Sequence, residues 1–323
     1  MPEITFREAL RQTLREELLA DERVILMGED IGAYGGSYAV TKGFLEDFGP
    51  DRIRDTPISE SVIVGCGIGA AMGGLRPMVE LMTINFSLLA FDQIVNNAAK
   101  LCYMSGGQIH VPLVIRMASG AGSQLSSQHS HSLEGWYAHI PGLKVAVPYT
   151  PYDARGLLKT AFRDPNPVIF IEHTALYSRK GEVPEGDYSI PFGQAEVCRE
   201  GKDVTLIGYS GSVYQANGAA DLLAEQGHQA EVLNLRTLRP LDVEAIVASV
   251  RKTHRAVVVE DDWKFGGFAG EIAAIIMEQA FDELDGPVAR VCGADVPMPY
   301  AKELEQAALP SERQIADAAL ALM

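Results

Sequence analysis

The 323-residue chain has no uninterrupted apolar run near the roughly 20 residues that a membrane-crossing helix needs, so a membrane span is not expected. Cysteine is scarce. Cys66, Cys102, Cys198 and Cys292 stand far apart, which excludes a C-x-x-C redox pair and a zinc-ribbon spacing and fits a reducing compartment. Positive charge is in deficit, with 27 Lys and Arg against 43 Asp and Glu. The resulting net charge of −16 repels a phosphate backbone, so nucleic acid is not an expected partner. There is no tandem repeat or low-complexity tract, and the first residues, MPEITFREALRQ, offer neither the apolar core of a secretory signal nor the acid-poor composition of a transit peptide.

What is present is an ordinary globular composition, 47% hydrophobic and 22% charged, over a length that predicts two domains. Phe6, Leu10, Leu14 and Leu18 recur every four residues and predict an amphipathic helix, followed at once by a strand over Val24 to Met27. The alternation continues with a small-residue helix over about 59–72, a strand in PMVEL and a helix over 91–99. Strands in VPLVIRM and LKVAV, a helix over 152–162 and a strand in PVIFIEH follow. Strands this apolar are covered on both faces, as in a parallel sheet.

From 177 to 194, YSRKGEVPEGDYSIPFGQ loses periodicity and gathers glycine, proline and charge, which predicts an exposed connector. The expected division is therefore an α/β domain over 1–180, a linker over 181–194 and a second α/β domain over 195–323. In the latter VTLIG, AEVLNL, AVVVE and ARVCG alternate with helices and predict a second parallel sheet.

Three local patterns invite chemistry. Gly65-Cys66-Gly67-Ile68-Gly69-Ala70 satisfies a relaxed dinucleotide fingerprint and would make the chain a nicotinamide-dependent oxidoreductase. Yet polar Ser59, Glu60 and Ser61 precede an apolar run like a helix entrance, which favours close helix packing through the glycines. Gly208-Tyr209-Ser210-Gly211 has the outline of a nucleophile elbow, but Ser212 replaces the required last glycine. His129, His131 and His139 include an H-x-H step without a further ligand at recognisable spacing, so they are better candidates for proton transfer or hydrogen bonding than for zinc. Glu29 follows a strand end, where ligands of open parallel sheets bind, and Glu60 stands at a helix start, where a carboxylate also simply favours the dipole.

Eight ordered blocks carry a resemblance: GEDIGAYGGSYAVTKGF, DTPISE, GAAMGGLRPMVELM, NFSLLAFDQIVNNAAK, YMSGGQ, QHSHSLEGWYAHIPGLKV, TPYDARGLLKTAFRDPNPVIFIEH and LRTLRPLD. Together they resemble the β subunits of thiamin-diphosphate-dependent 2-oxo acid dehydrogenases, from about Phe6 to near the C-terminus. The resemblance implies a transketolase-like pyrimidine-binding domain followed by a transketolase C-terminal-type domain. It also implies a heterotetramer of two chains of each kind, whose α subunit holds the diphosphate and magnesium; this chain has no G-D-G followed by a downstream asparagine, the motif expected of the diphosphate half, so alone it is expected to be inactive. A dihydrolipoyl acyltransferase core and its lipoyl domain are the further partners. The implied location is the bacterial cytoplasm, or the mitochondrial matrix or a plastid if a presequence was removed.

Residue by residue, the resemblance implies that Glu60 of P-I-S-E meets the aminopyrimidine ring nitrogen. A carboxyl sharing a proton there favours the imino tautomer, whose basic nitrogen removes the thiazolium carbon proton. Phe86 is expected to pack on the aminopyrimidine, His129 to donate a proton during acyl transfer to lipoamide, and Glu29 to join a relay of acids between paired sites. Leu113, Ala161, Phe162, Asp164 and Asn166 fall where the family holds a structural potassium ion, mostly through carbonyl oxygens suited to a hard cation. Leu89 stands where several pyruvate-specific relatives carry glutamine, removing a hydrogen-bonding side chain. The expected substrate is pyruvate, with branched-chain 2-oxo acids or acetoin as alternatives. A noncatalytic scaffold subunit is the alternative of another class.

Overall fold

The structure, a computed structural model, describes residues 2–323 and divides into two compact units. One comprises the residues through Ser119 together with Trp136–Phe192, and the other Gly120–Gly135 together with Gly193–Met323.

In chain order through Phe192 the elements are β1 (Glu3–Thr5), α1 (Phe6–Ala20), β2 (Val24–Gly28), α2 (Phe44–Phe48), β3 (Ile53–Asp55), α3 (Glu60–Met72), β4 (Arg76–Thr83), α4 (Leu101–Met104), β5 (Val114–Ser119), α5 (Glu134–Ala138), β6 (Lys144–Ala146), α6 (Pro151–Arg163), β7 (Val168–His173) and β8 (Lys180–Glu182). Thr5 caps α1 by accepting from the Glu8 N–H, and the four-residue spacing buries Phe6, Leu10, Leu14 and Leu18 against α6. A capping box of Thr150 and Asp153, with Pro151 at the first helical position, starts α6. In the first unit the strands lie in the order β6-β7-β5-β4-β2-β3, each neighbouring pair parallel. β5 and β7 are buried at every position, as their largely apolar sequences require, with Arg116 and Glu172 the buried charges among them.

The second unit continues with β9 (Glu196–Arg199), β10 (Val204–Gly208), α7 (Ser212–Ala224), β11 (Ala230–Asn234), β12 (Thr237–Arg239), α8 (Val243–Thr253), β13 (Ala256–Trp263), α9 (Phe268–Ala280), β14 (Ala289–Gly293), α10 (Lys302–Ala308) and α11 (Glu312–Leu320). Its sheet runs β14-β13-β10-β11-β9, parallel throughout except for β9, an antiparallel edge. Among the described residues no helix is long and apolar enough to cross a membrane.

Several details depart from the sequence reading. The segment over 177–192 is largely exposed, as a connector would be, but it is also strapped onto the first unit. Tyr177, Val183 and Ile190 are buried, and β8 pairs antiparallel with β1, because the scattered charges hide apolar anchors. The expected helix over 91–99 winds as a π-helical turn from Gln93 to Ala98, after a 3₁₀ turn over Phe86–Ala90. Residues 120–135 sit with the second unit although sequence places them between strands of the first. Glu305 accepts hydrogen bonds from the Gly122 and Gln124 N–H groups, and His131 meets the Trp263 ring edge-on at 5.5 Å.

Candidate active site

β2 is followed in the chain by β3 on one side of it and by β4 on the other, so the strand order reverses here. In open parallel sheets ligands bind beyond the carboxyl ends at such a reversal. Glu29 directly follows β2, Glu60 opens the helix after β3, and Phe86 begins the 3₁₀ turn after β4. The Gly28 carbonyl accepts from the Thr56 N–H at 3.0 Å, fixing the path from β3 into α3. Asp55 accepts from the Gly32 N–H at 2.6 Å and the Ala33 N–H at 3.2 Å, so the loop after β2 is held against the end of β3.

Glu60 is only 6% exposed, and its carboxylate makes no hydrogen bond among the described residues. The helix start favours a negative charge at this position through the dipole. Half-buried Glu29 titrates above the usual carboxylate range. Burial is the main cause, and the charges of Asp30 and Glu60 add to it. That coupling puts the two acids in one electrostatic neighbourhood. Phe86 is half-buried on the turn that packs against α3, while Leu89 on the same turn is 65% exposed. An acid without a protein hydrogen bond on α3 and an aromatic side chain on the turn packed against α3 are the groups that a heterocycle with a ring nitrogen and a flat face would use.

The six residues Gly65–Ala70 lie wholly inside α3, not at a strand-to-helix turn, so the nicotinamide fingerprint is overturned. A Cβ at Gly67 would stand 2.7 Å from Val79 Cγ1, which shows why a glycine packs there, whereas Gly69 faces open space. Ser210 does occupy a left-handed turn, at φ 50°, but it is buried and its hydroxyl has no partner among the described residues, histidine included. His129 ends a short 3₁₀ turn and is exposed, on the segment that belongs to the second unit. Partial burial lowers the basicity of His131. His139 is exposed on the first unit, and no cluster of three or more His, Cys, Asp or Glu among the described residues could hold a metal ion.

The residues expected around potassium are brought together. Ala161 and Phe162 end α6, Asp164 and Asn166 form the following turn, and the Leu113 carbonyl accepts from the Val168 N–H at 2.9 Å. Their oxygens are of the right kind. Two already meet cations, however, since Arg76 donates to the Phe162 carbonyl and Lys144 pairs with Asp164. A carbonyl keeps a second lone pair, so the donor set still fits a weakly held monovalent ion.

Sequence reading missed the charged group beneath the site. Arg116 on β5, 2% exposed, pairs with Glu80 on β4 and, through two nitrogens, with Glu172 on β7. Tyr177 donates to Glu172 Oε2 at 2.6 Å, and the Tyr38 ring stacks on Tyr177 at 4.7 Å. The signal was legible in principle: three charges within otherwise apolar strands, MVELM, VIRM and IFIEH, have to find one another.

The family of the transketolase pyrimidine-binding domain matches residues 2–180, and that of the transketolase C-terminal domain matches residues 193–315. The pyruvate dehydrogenase E1 component subunit beta of Rickettsia felis is 50% identical over 316 residues, 98% of this chain and 97% of that one. The mitochondrial subunit beta-2 of Oryza sativa subsp. japonica is 51% identical over 321 residues, covering 98% and 85%. The chain belongs to the pyruvate dehydrogenase E1 β-subunit family. The Rhizobium meliloti member is 50% identical over the whole of this chain and 70% of its own length. A split-gene transketolase chain shares the fold, with a TM-score of 0.79 at 24% identity over 99% of this chain and 98% of that one. The matched pyrimidine-binding domain, residues 2–180, contains Glu29, Glu60 and Phe86.

Proposed function

We propose that this chain is the β half of a thiamin-diphosphate-dependent enzyme that decarboxylates pyruvate and passes the acetyl group to a lipoyl domain. The observation that supports it most is Glu60, a buried carboxylate with no protein hydrogen bond at the sheet reversal of a chain about 50% identical to pyruvate dehydrogenase β subunits. Thiamin diphosphate, when bound, supplies the electron sink that makes loss of carbon dioxide feasible. Glu60 would hold a proton at the aminopyrimidine ring nitrogen, Phe86 would cover the ring face, and Glu29 would belong to a relay of acids joining paired sites. The acyl carbon is oxidised by two electrons while the lipoyl disulfide is reduced. One sulfur ends in the thioester, and the other takes a proton for which His129 is the proposed donor.

Magnesium and the diphosphate would be held by an α subunit. Ile58 and Val62, at the start of α3, and Leu88 and Leu89, on the neighbouring turn, expose apolar surface of the kind a partner chain covers. Reconstitution with an α chain, magnesium and cofactor is expected to release carbon dioxide from pyruvate and acetylate a lipoyl domain. Faster turnover of a branched-chain 2-oxo acid would move the assignment to that substrate, and no release from any 2-oxo acid would leave only a scaffold role.

We also propose potassium between Leu113, Ala161, Phe162, Asp164 and Asn166. Replacing sodium by potassium at constant ionic strength is expected to raise the melting temperature by about 2–4 °C if the ion stabilises the fold by about 1 kcal/mol. Equal melting curves in the two salts would remove the site.

A further inference from the structure

Residues 120–131 form a closed loop with little secondary structure of its own. The Gly120 N–H donates to the His131 carbonyl at 3.1 Å, which ties the neck, and His129 ends the 3₁₀ turn inside it. Between them the backbone takes left-handed values at Gly122 (φ 102°), Gln124 (φ 56°) and Ser126 (φ 67°). The last two are not glycines, so this conformation is strained and persists only if something holds it.

What holds it is remote in sequence. Glu305, on α10, is 1% exposed, and its Oε1 accepts from the Gly122 N–H at 3.0 Å and the Gln124 N–H at 3.1 Å, while Oε2 also accepts from Gln124 at 3.1 Å. Hydrogen bonds to a charged acceptor are about twice as strong as neutral ones, and here they satisfy two amides that no strand or helix pairs. The wall behind the loop is itself braced. The Ala294 N–H donates to the Ala308 carbonyl, joining the end of α10 to the chain after β14, and Trp263 Nε1, whose ring meets His131, donates to the Val296 carbonyl.

We propose that Glu305 is a positioning residue that fixes the His129 loop for acyl transfer to the lipoyl group. The proposal rests on the reading of His129 as the proton donor in that step. The carboxylate touches no substrate; it acts by keeping two amides, and hence the histidine turn a few residues on, in one place. A displacement of about 1 Å at a reacting group can cost 100-fold in rate.

The test uses the reconstituted heterotetramer carrying Glu305→Ala, Glu305→Gln or His129→Ala. Three quantities are measured: acylation of a lipoyl domain, decarboxylation with ferricyanide as electron acceptor, and amide hydrogen exchange at Gly122 and Gln124. Glu305→Ala is expected to slow acylation at least tenfold, to keep ferricyanide-linked decarboxylation within twofold, and to speed exchange at both amides. Glu305→Gln, which retains an acceptor oxygen, is expected to recover most of the acylation rate. Equal loss of both activities, or unchanged acylation with faster exchange, would overturn the proposal. If His129→Ala acylates normally, the reading of His129 fails and the proposal with it. If His129→Ala is impaired and Glu305→Ala is not, only the role of Glu305 fails.

Discussion

Glu60→Gln is expected to reduce turnover of the reconstituted enzyme by about 10²- to 10⁴-fold, the range for removing a positioned acid-base group. The substitution keeps the size and a hydrogen-bonding oxygen but cannot exchange a proton with a ring nitrogen. Its structural cost is small, because losing the charge at the start of α3 removes only about 0.3–1 kcal/mol of dipole stabilisation. Assembly with the α chain should therefore survive. Glu29 supplies an independent reading, since Glu60 is one of the charges that raise its titration. In the Glu60→Gln chain the Glu29 carboxyl should titrate at lower pH, observable by NMR of labelled glutamate. Retained turnover would reject the assignment of Glu60, and an unmoved Glu29 would reject the coupling of the two acids.

The largest expected loss of stability is at Arg116. Arg116→Leu leaves Glu80 and Glu172 buried without a counter-charge, at a cost of about 3–5 kcal/mol, against a total stability of about 5–15 kcal/mol for an ordinary domain. Burial already pushes the Glu80 carboxyl above its usual range despite Arg116 beside it. Without the guanidinium the surrounding low-polarity core would force protonation. Arg116→Lys should recover little, because a point ammonium cannot reproduce the forked contact with Glu172 while reaching Glu80. The effect should reach the active site through geometry: a Cβ at Gly36 would lie 3.2 Å from Glu80 Oε1, and Tyr38 stacks on Tyr177, so the loop after β2 rests on this network. Denaturant unfolding of Arg116→Leu, beside a triple variant with Glu80 and Glu172 also made apolar, separates the causes. The triple variant should regain much of the loss, and a single variant as stable as the parent would contradict the account.

Legibility differed by element for physical reasons. The helix over Phe6–Ala20 and the strand over Val168–His173 follow from periodicity, because one face or both faces must leave water. β1 and β8 escaped because three-residue strands carry too few side chains to show a pattern. The anchoring of the strap over 177–192 was hidden because it rests on single side chains such as Tyr177 and Ile190. Glu60 was found through the residues around it, P-I-S-E, and not through any spacing that distinguishes a catalytic acid from a helix-start glutamate.

By itself the sequence determined the two-part α/β character, the apolar strands, the amphipathic first helix and the family, since each is written in local order or in ordered blocks. Only the tertiary structure decided that Glu29 and Glu60 share one electrostatic neighbourhood, that Arg116 is clasped by two acids, and that Glu305 reaches back about 180 residues to the loop of His129. Such contacts arise when a sheet orders its strands out of sequence and a buried charge takes whichever partner the fold brings within reach, and linear spacing carries no record of either.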